Sequence, residues 1–316
     1  MSPHSNPHIN PPGWLSCVTC SLGYDEVISI SKYTLVSFKG EANMDGSANK
    51  LYVVNRKGCP IHYWLAGQTD KPLIVFTHGA TMDHHMFDAQ VNILVQKYRV
   101  LTWDVRGQGE SQPTGEGFSI AGSVEDLLSF IDELGYKEAV FVGQSMGGYI
   151  AQELVFRYPK RVRALVIIGS TCITLKLSIG ETAAIKLSPA IFHLYPEKVL
   201  KRQIAKASAV KPEVQAYVYD ATSKVAKGDF ISIWIELVRC LHYEAQYKIT
   251  CPLLLTHGEH DRTGNIKKIA PIWAARDLQC QYTVIPNAGH CANQDNPEFF
   301  NSVLTDFLNS LPYQLG

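Results

Sequence analysis

The 316-residue chain has no net charge at pH 7, because 29 lysine and arginine residues balance 29 aspartate and glutamate residues. Without an excess of positive charge there is no long-range field to attract nucleic acid or an anionic lipid surface. The chain also lacks a run of about 20 apolar residues, the length that a membrane-spanning helix needs. The sequence therefore predicts a protein whose partners include neither nucleic acid nor a membrane.

The first twenty residues lack both a basic start and a continuous apolar core, the two marks of a secretory signal. With no sign of export, the eight cysteines are expected to be reduced thiols, and we expect a cytoplasmic location. Cys17 and Cys20 form a C-x-x-C pair without further zinc ligands nearby. His84 and His85 also lack accompanying ligands, and we expect them to be surface residues at the start of a helix. The sequence predicts no metal and no cofactor.

Residues 1–48 are expected to form an N-terminal extension that is partly disordered, because the first 23 positions offer few apolar residues to bury. Within the extension, apolar residues approach alternation over 27–38, which predicts an extra strand or a hairpin. Met44 is a candidate for the true start, since everything that carries chemistry follows it.

From residue 51, short β-rich runs alternate with helical segments, the pattern of a mostly parallel sheet with helices on both faces. Eight strands are predicted, at 51–56, 61–66, 72–78, 99–104, 139–144, 164–170, 252–258 and 281–286. Helices are predicted at 119–134, 146–158 and 296–310. The interval 171–248 has no clear buried strand. It is therefore predicted to be a helical cap, inserted into a core of 49–170 and 249–316. Its four helical stretches are predicted at 182–194, 196–208, 212–226 and 229–243.

The most informative motif is G-x-S-x-G, formed by Gly143, Ser145 and Gly147 between an apolar strand and an amphipathic helix. A nucleophile on such a sharp turn has strained dihedral angles, and glycines are needed where a Cβ would collide with neighbouring backbone. The turn also places the nucleophile at the positive end of the helix dipole. Ser145 is therefore the candidate nucleophile.

A serine hydroxyl needs a neutral imidazole to take its proton and a carboxylate to orient that imidazole. Asp261 follows the strand at 252–258, and His290 follows the strand at 281–286. The order Ser, Asp, His, with each residue after a parallel strand, suits a catalytic triad. Glu259 and Asp295 are alternatives for the carboxylate that fit less well.

Acyl transfer also needs N–H donors for the oxyanion that forms in the tetrahedral intermediate. Gly79 allows a sharp bend after the strand at 72–78, so the N–H groups of Ala80 and Met146 are the expected pair. His78 is expected to brace this loop rather than to transfer protons.

Together these segments resemble the α/β-hydrolase superfamily, specifically its capped serine hydrolases. The resemblance covers residues from about 51 to 311 and lies in five motifs: His78-Gly79, DVRGQGES at 104–111, GQSMGG at 143–148, Gly258 to Asp261, and Gly289-His290. It implies an α/β-hydrolase fold with an eight-stranded, mostly parallel sheet, and structural roles for Asp104 and Arg106.

The resemblance also narrows the reaction. Haloalkane dehalogenases and epoxide hydrolases of similar outline carry an aspartate where this chain has Ser145, whereas serine favours small to medium apolar esters or lactones, as in carboxylesterases and enol-lactone hydrolases. Carbon-carbon bond hydrolases, cofactor-free haloperoxidases and hydrolase-fold ligand receptors without turnover remain alternatives. Apolar cap residues, among them Leu175, Phe192 and Trp234, are expected to bind the substrate.

Overall fold

The computed structural model describes residues 26–30, 33–37 and 49–312. The predicted hairpin is confirmed, because β1 (Glu26–Ile30) and β2 (Tyr33–Ser37) pair in antiparallel fashion. The predictions of disorder near the N-terminus, of a start at Met44 and of an unmetallated Cys17 and Cys20 pair lie outside the described residues.

A single eight-stranded sheet organises residues 50–285, and its order is β10-β9-β8-β7-β5-β6-β4-β3. All eight predicted strands are confirmed and differ only at their ends: β3 (Lys50–Arg56), β4 (Cys59–Ala66), β5 (Leu73–Thr77), β6 (Arg99–Trp103), β7 (Ala139–Gln144), β8 (Val162–Ile168), β9 (Leu253–Gly258) and β10 (Cys280–Ile285). The strand β4 is antiparallel to both of its neighbours, and the remaining pairs are parallel. This is the predicted α/β-hydrolase fold.

Helices cover both faces of the sheet, because its strands carry apolar side chains on both faces. They are α1 (Asp88–Leu94), α2 (Ile120–Glu133), α3 (Met146–Arg157), α4 (Ile179–Leu194), α5 (Glu197–Ser208), α6 (Pro212–Ser223), α7 (Lys227–Arg239), α8 (Ile266–Arg276), α9 (Ala292–Asp295) and α10 (Pro297–Ser310). Along β7, Phe141 packs into the core with α2 and α3, whereas Val140 and Val142 pack into the core with α1 and α10. Alternate side chains therefore supply two hydrophobic cores, one on each face.

Four helices, α4 to α7, lie between β8 and β9, where the sequence predicts the cap. Helix α4 begins with a capping box in which Ser178 and Glu181 exchange hydrogen bonds, and it packs against α7. None of its side chains is fully buried. The exact division between cap and core, at residues 170 and 249, stays a prediction.

The parallel strands bring the candidate residues to one edge of the sheet. Ser145 follows β7, Asp261 follows β9, His290 follows β10, and the loop with Ala80 follows β5. Within the described ranges, no helix has the length and apolar content to cross a membrane, and no cluster of three potential metal ligands occurs.

Candidate active site

Ser145 lies on a strained turn between β7 and α3. Its backbone angles are φ 49° and ψ −111°, a region that residues with a Cβ rarely adopt, and its N–H donates to Ile168 O at 2.9 Å. A Cβ on Gly147 would overlap the carbonyl oxygen of Thr77, and a Cβ on Gly143 would overlap the backbone of Gly147. The two glycines thus allow the turn, which leaves the Ser145 side chain half-buried.

Asp261 and His290 form a buried pair across the loops after β9 and β10. The distance from His290 Nδ1 to Asp261 Oδ2 is 3.0 Å, and the Thr263 N–H donates to Asp261 Oδ1 at 2.8 Å. Burial by itself raises the pKa of Asp261, but the contacts with His290 and Thr263 outweigh burial and hold this pKa below its usual value. Asp261 is therefore a carboxylate at neutral pH, and it fixes the orientation of the imidazole.

The two alternative carboxylates have other partners. Asp295 is buried and accepts hydrogen bonds from three backbone N–H groups, those of Gly289, Val210 and Lys211. Glu259 is exposed, and it accepts a hydrogen bond from the Asn287 N–H. Of the three carboxylates that the sequence offers, only Asp261 touches His290 in the described chain.

Ser145 and Asp261 line the same cavity, yet no hydrogen bond between Ser145 and His290 occurs among the described residues. Catalytic hydrogen bonds are often long in the absence of substrate and shorten when it binds. The structure thus brings the Asp261 and His290 side chains together and leaves the contact with the serine open.

The loop after β5 approaches Ser145 closely, since a Cβ on Gly79 would lie 3.4 Å from Ser145 Cβ. In the part of the chain that is described, neither the Ala80 N–H nor the Met146 N–H donates a hydrogen bond. Two N–H groups beside the nucleophile are thus available to a ligand.

His78 holds this loop against the segment that follows β6. Its Nδ1–H donates to Gly79 O at 2.7 Å, and its Nε2 accepts from the Val105 N–H at 2.9 Å. Burial lowers the pKa of His78, which keeps the ring neutral and able to make both bonds.

Gln144 is a residue that the sequence analysis missed. Its side chain is buried, and its Nε2 donates to the carbonyl oxygen of His290 at 3.0 Å. This bond joins the residue before the nucleophile to the histidine loop, 146 positions away in the chain. Only the position of Gln144 at the end of an apolar strand, next to Ser145, hinted at such a role.

A cavity of about 550 Å³ opens over Ser145 beneath the cap helices α4 and α7. Its cap wall is mostly apolar and consists of Ala184, Ile185, Trp234, Leu237, Val238 and Leu241, with Tyr149 contributed by α3. Trp234, one of the three cap residues predicted to bind substrate, thus lines this cavity. Leu175 instead lines a neighbouring cavity, and Phe192 packs in an aromatic cluster of the cap, with its ring 5.3 Å from those of Phe230 and Trp234.

Polar side chains connect the cap to the core at the rim of this cavity. Glu181, in the first turn of α4, accepts hydrogen bonds from Lys268 at 3.1 Å and from Asn265 at 3.3 Å. The hydrogen bonds from Ser178 and Lys268 lower the pKa of Glu181 to about 2. The charges of Glu181 and Lys268 at the rim therefore neutralise each other.

The prediction of a surface histidine pair is wrong for His84, although a 3-10 turn does begin there. Its ring stacks on Trp64 with centroids 3.4 Å apart, and its Nδ1 lies 2.9 Å from Asp104 Oδ1.

Asp104 also accepts a hydrogen bond from the Glu110 N–H at 2.7 Å. Arg106 pairs with buried Asp126 at 2.8 Å. Asp104 and Arg106 thus have the structural roles that the resemblance implies.

Comparisons with known proteins show the family to which the chain belongs. The family model described as serine aminopeptidase, S33, matches residues 68–296. Human epoxide hydrolase 4 is 25% identical over 282 residues, which cover 81% of this chain and 77% of that protein. The 3-oxoadipate enol-lactonase 1 of Acinetobacter baylyi is 26% identical over 278 residues, which cover 83% of this chain and 98% of that enzyme.

Solved structures show the same fold at lower sequence identity. The enol-lactonase from Burkholderia xenovorans LB400 superposes with a TM-score of 0.67 at 21% identity, over 82% of this chain and 100% of that chain. A thermophilic esterase from Thermogutta terrifontis gives a TM-score of 0.70 at 19% identity, over 88% of this chain and 98% of that chain.

Proposed function

Because the chain belongs to the serine aminopeptidase S33 family of α/β hydrolases, we propose that it is a serine hydrolase that cleaves carboxylic esters or lactones. One observation carries the proposal: Ser145 lies on a strained turn at the base of an apolar cavity, beside the buried Asp261 and His290 pair. This combination supplies a nucleophile, a base and an orienting carboxylate in one place.

In the proposed mechanism, Ser145 Oγ attacks the carbonyl carbon of the substrate while His290 Nε2 takes the hydroxyl proton. The protonated imidazole then gives this proton to the departing alkoxide, which leaves an acyl group on Ser145. Water attacks the acyl carbon with His290 again as the base, and the imidazolium returns the proton to Ser145 Oγ as the Ser145–acyl bond breaks. Asp261 stabilises the imidazolium through the contact at Nδ1.

The tetrahedral oxyanion is proposed to bind between the N–H groups of Ala80 and Met146. Both groups are without a hydrogen-bond acceptor in the described chain, and Met146 is the first residue of α3, where the helix dipole is positive. Such donors stabilise charge that develops only in the transition state, so they raise kcat rather than substrate affinity.

The composition of the cavity favours esters over peptides with a free amino end. Recognition of a substrate ammonium group needs an unpaired carboxylate, but Asp261 is paired with His290 and Glu181 with Lys268. The apolar wall around Trp234 suits an acyl or alcohol group of small to medium size.

The relatives include both an epoxide hydrolase and enol-lactonases. A serine at position 145 favours the second chemistry, since an acyl-serine needs a carbonyl substrate.

The test is the initial rate of hydrolysis of p-nitrophenyl acetate, butyrate and octanoate by the parent protein and by Ser145→Ala. We expect turnover by the parent and a loss of at least about a thousandfold in the variant. The preferred acyl length then reports the depth of the cavity. A parent protein inactive on these esters and on a panel of lactones, or a variant as active as the parent, would contradict the proposal.

A further inference from the structure

A second cavity, of about 360 Å³, lies against the same two cap helices, α4 and α7. We call it the outer cavity, and its lining residues are Leu175, Lys176, Leu177, Thr182, Ile185, Lys186, Val238, Leu241, His242 and Tyr243. Part of its wall is formed where the segment after α7 pairs with the segment after β8: His242 N–H donates to Ile173 O at 2.9 Å, and Glu244 N–H donates to Thr174 O at 3.1 Å. The outer cavity is therefore built partly from hydrogen-bonded backbone.

Only a thin partition separates the outer cavity from the cavity over Ser145. Ile185, Val238 and Leu241 line both cavities, so the partition is one layer of side chains. All three side chains are half-buried rather than locked in a core. Ile185 lies on α4, a helix without any fully buried side chain, and rotamer changes there require little repacking.

The two cavities differ in charge. Among its described lining residues the outer cavity has no aspartate or glutamate, and neither Lys176 nor Lys186 forms an ion pair within the described chain. The His242 ring already has two carboxylate neighbours, Glu244 at 3.2 Å and Glu153 at 3.6 Å. Two lysines without an ion-pair partner in the described chain therefore line the outer cavity.

Beyond the Ala80 and Met146 N–H groups next to the nucleophile, the cavity over Ser145 offers an anion few partners. Lys268 is paired with Glu181, and Lys267 Nζ donates to the Glu259 carbonyl at 2.7 Å. The ionised Asp261 lies among its lining residues and repels negative charge. A carboxylate that is not held by the Ala80 and Met146 N–H groups would thus be more stable on the far side of the partition.

From this arrangement we propose that the outer cavity is an anion subsite, which binds a carboxylate that reaches it from the Ser145 cavity past Ile185, Val238 and Leu241. The proposal rests on the proposed ester or lactone hydrolysis. The carboxylate has two possible sources with the same chemistry. It is either the free acid end of a substrate or the acid product, which forms when water adds to the acyl carbon, the Ser145–acyl bond breaks and the new acid loses its proton.

The first experiment compares monomethyl suberate with methyl octanoate, two methyl esters of equal chain length of which only the first ends in a carboxylate. The ratio of their kcat/KM values is measured for the parent and for the double variant Lys176→Gln, Lys186→Gln. We expect the ratio to fall about tenfold if the substrate carries the carboxylate, as two exposed charge contacts allow. The control is Lys198→Gln, Lys206→Gln on α5, which makes the same change in net charge at exposed positions and should leave the ratio unchanged.

A second arm tests the product as the source. Octanoate is added as an inhibitor of methyl octanoate hydrolysis, and its inhibition constant is compared between the same variants. If the product uses the subsite, the constant rises about tenfold in the Lys176 and Lys186 variant while the substrate ratio stays constant. Val238→Phe, which thickens the partition, should produce the same change by closing the passage. If neither quantity moves beyond the control, the subsite does not exist.

A third arm does not depend on turnover. Binding of suberate to Ser145→Ala is measured by isothermal titration calorimetry, and the dissociation constant should rise about tenfold when Lys176 and Lys186 are both changed to glutamine. If the parent hydrolyses no ester or lactone but this shift occurs, the proposed function fails and the anion subsite stands. Absence of binding, or binding equal in the variant and the control, overturns the subsite.

Discussion

Asp261→Asn is the sharpest single test of how the buried pair acts. The asparagine has nearly the same size, so the substitution changes hydrogen bonding without leaving a hole. In the parent, Asp261 accepts at both oxygens, from His290 Nδ1 at 3.0 Å and from the Thr263 N–H at 2.8 Å. Asparagine has one oxygen, and if this stays with Thr263, its NH2 group faces the imidazole.

The substitution reverses the roles of the two ring nitrogens of His290. Facing a donor, Nδ1 must accept, and the ring proton moves to Nε2, the nitrogen that has to take the Ser145 proton. A protonated Nε2 is no base, so we expect kcat to fall by about four orders of magnitude, or about 5.4 kcal/mol of transition-state stabilisation. KM should change little, because the side chain is 2% exposed and acts through the imidazole.

The assay is p-nitrophenyl butyrate hydrolysis at pH 7.5 or a similar neutral pH, together with a urea unfolding curve to show that the variant folds. Glu259→Gln is the matched control, since Glu259 is an exposed carboxylate two positions away that contacts Asn287 instead, and it should stay within about twofold of the parent. An Asp261→Asn enzyme within tenfold of the parent rate would refute the argument. Asp295 would then be the next carboxylate to change.

Three further outcomes follow from the structure. Gly147→Ala should lower the free energy of unfolding by about 1–3 kcal/mol, because the new Cβ meets the Thr77 carbonyl. The control Gly228→Ala, with open space around the new Cβ, should raise the free energy of unfolding by about 0.5 kcal/mol. Both changes are measured as shifts of the urea unfolding midpoint. Burial raises the pKa of Cys291, so iodoacetamide at neutral pH should leave this thiol unlabelled in a peptide map; rapid labelling there would contradict its burial. Burial alone would raise the pKa of Asp104, but hydrogen bonds from His84 and Glu110 hold this pKa below the usual value. Asp104 therefore stabilises the fold fully above about pH 4 and progressively less below it. The difference in urea midpoint between the parent and Asp104→Asn should narrow below pH 4, and a difference that stays constant down to pH 3 would contradict this.

The sheet was predictable because its strands carry their own signal. Continuous apolar runs such as Ala139 to Val142 can only be buried on both faces, and glycines then mark where the chain must turn sharply. The positive φ at Ser145 follows from the same pattern, since Gly143 and Gly147 are needed only if the turn is tight. Local sequence therefore encoded which strand each candidate residue follows, and also the tight turn at Ser145.

What the sequence could not encode are the contacts between distant segments. The bond from Gln144 to the His290 carbonyl depends on how two loops meet, and the stacking of His84 on Trp64 depends on strand neighbours that are far apart in the chain. The cap shows the same limit. Phe192 and Trp234 are both apolar residues on helices, yet only the packing of α4 on α7 decides that Trp234 lines the cavity and Phe192 does not.

Helix α8 (Ile266–Arg276) was missed for a different reason. It contains Pro271 in its interior, which lacks a backbone N–H donor and weakens the local helical signal. Tertiary packing offsets this, because Ile269 and Trp273 are buried against the sheet. Its N-terminal turn carries the residues that meet Glu181 of the cap, so a feature of the cavity rim was missed with it.

The most direct test of the central claim is covalent labelling of the nucleophile. The parent protein is incubated with a fluorophosphonate, digested and analysed by mass spectrometry, with Ser145→Ala treated in parallel. We expect one phosphonylated peptide, with the modification on Ser145, loss of esterase activity in step with labelling, and no labelling of the variant. Labelling of Ser145→Ala to the same extent, or labelling of the parent at another residue with loss of activity, would contradict it.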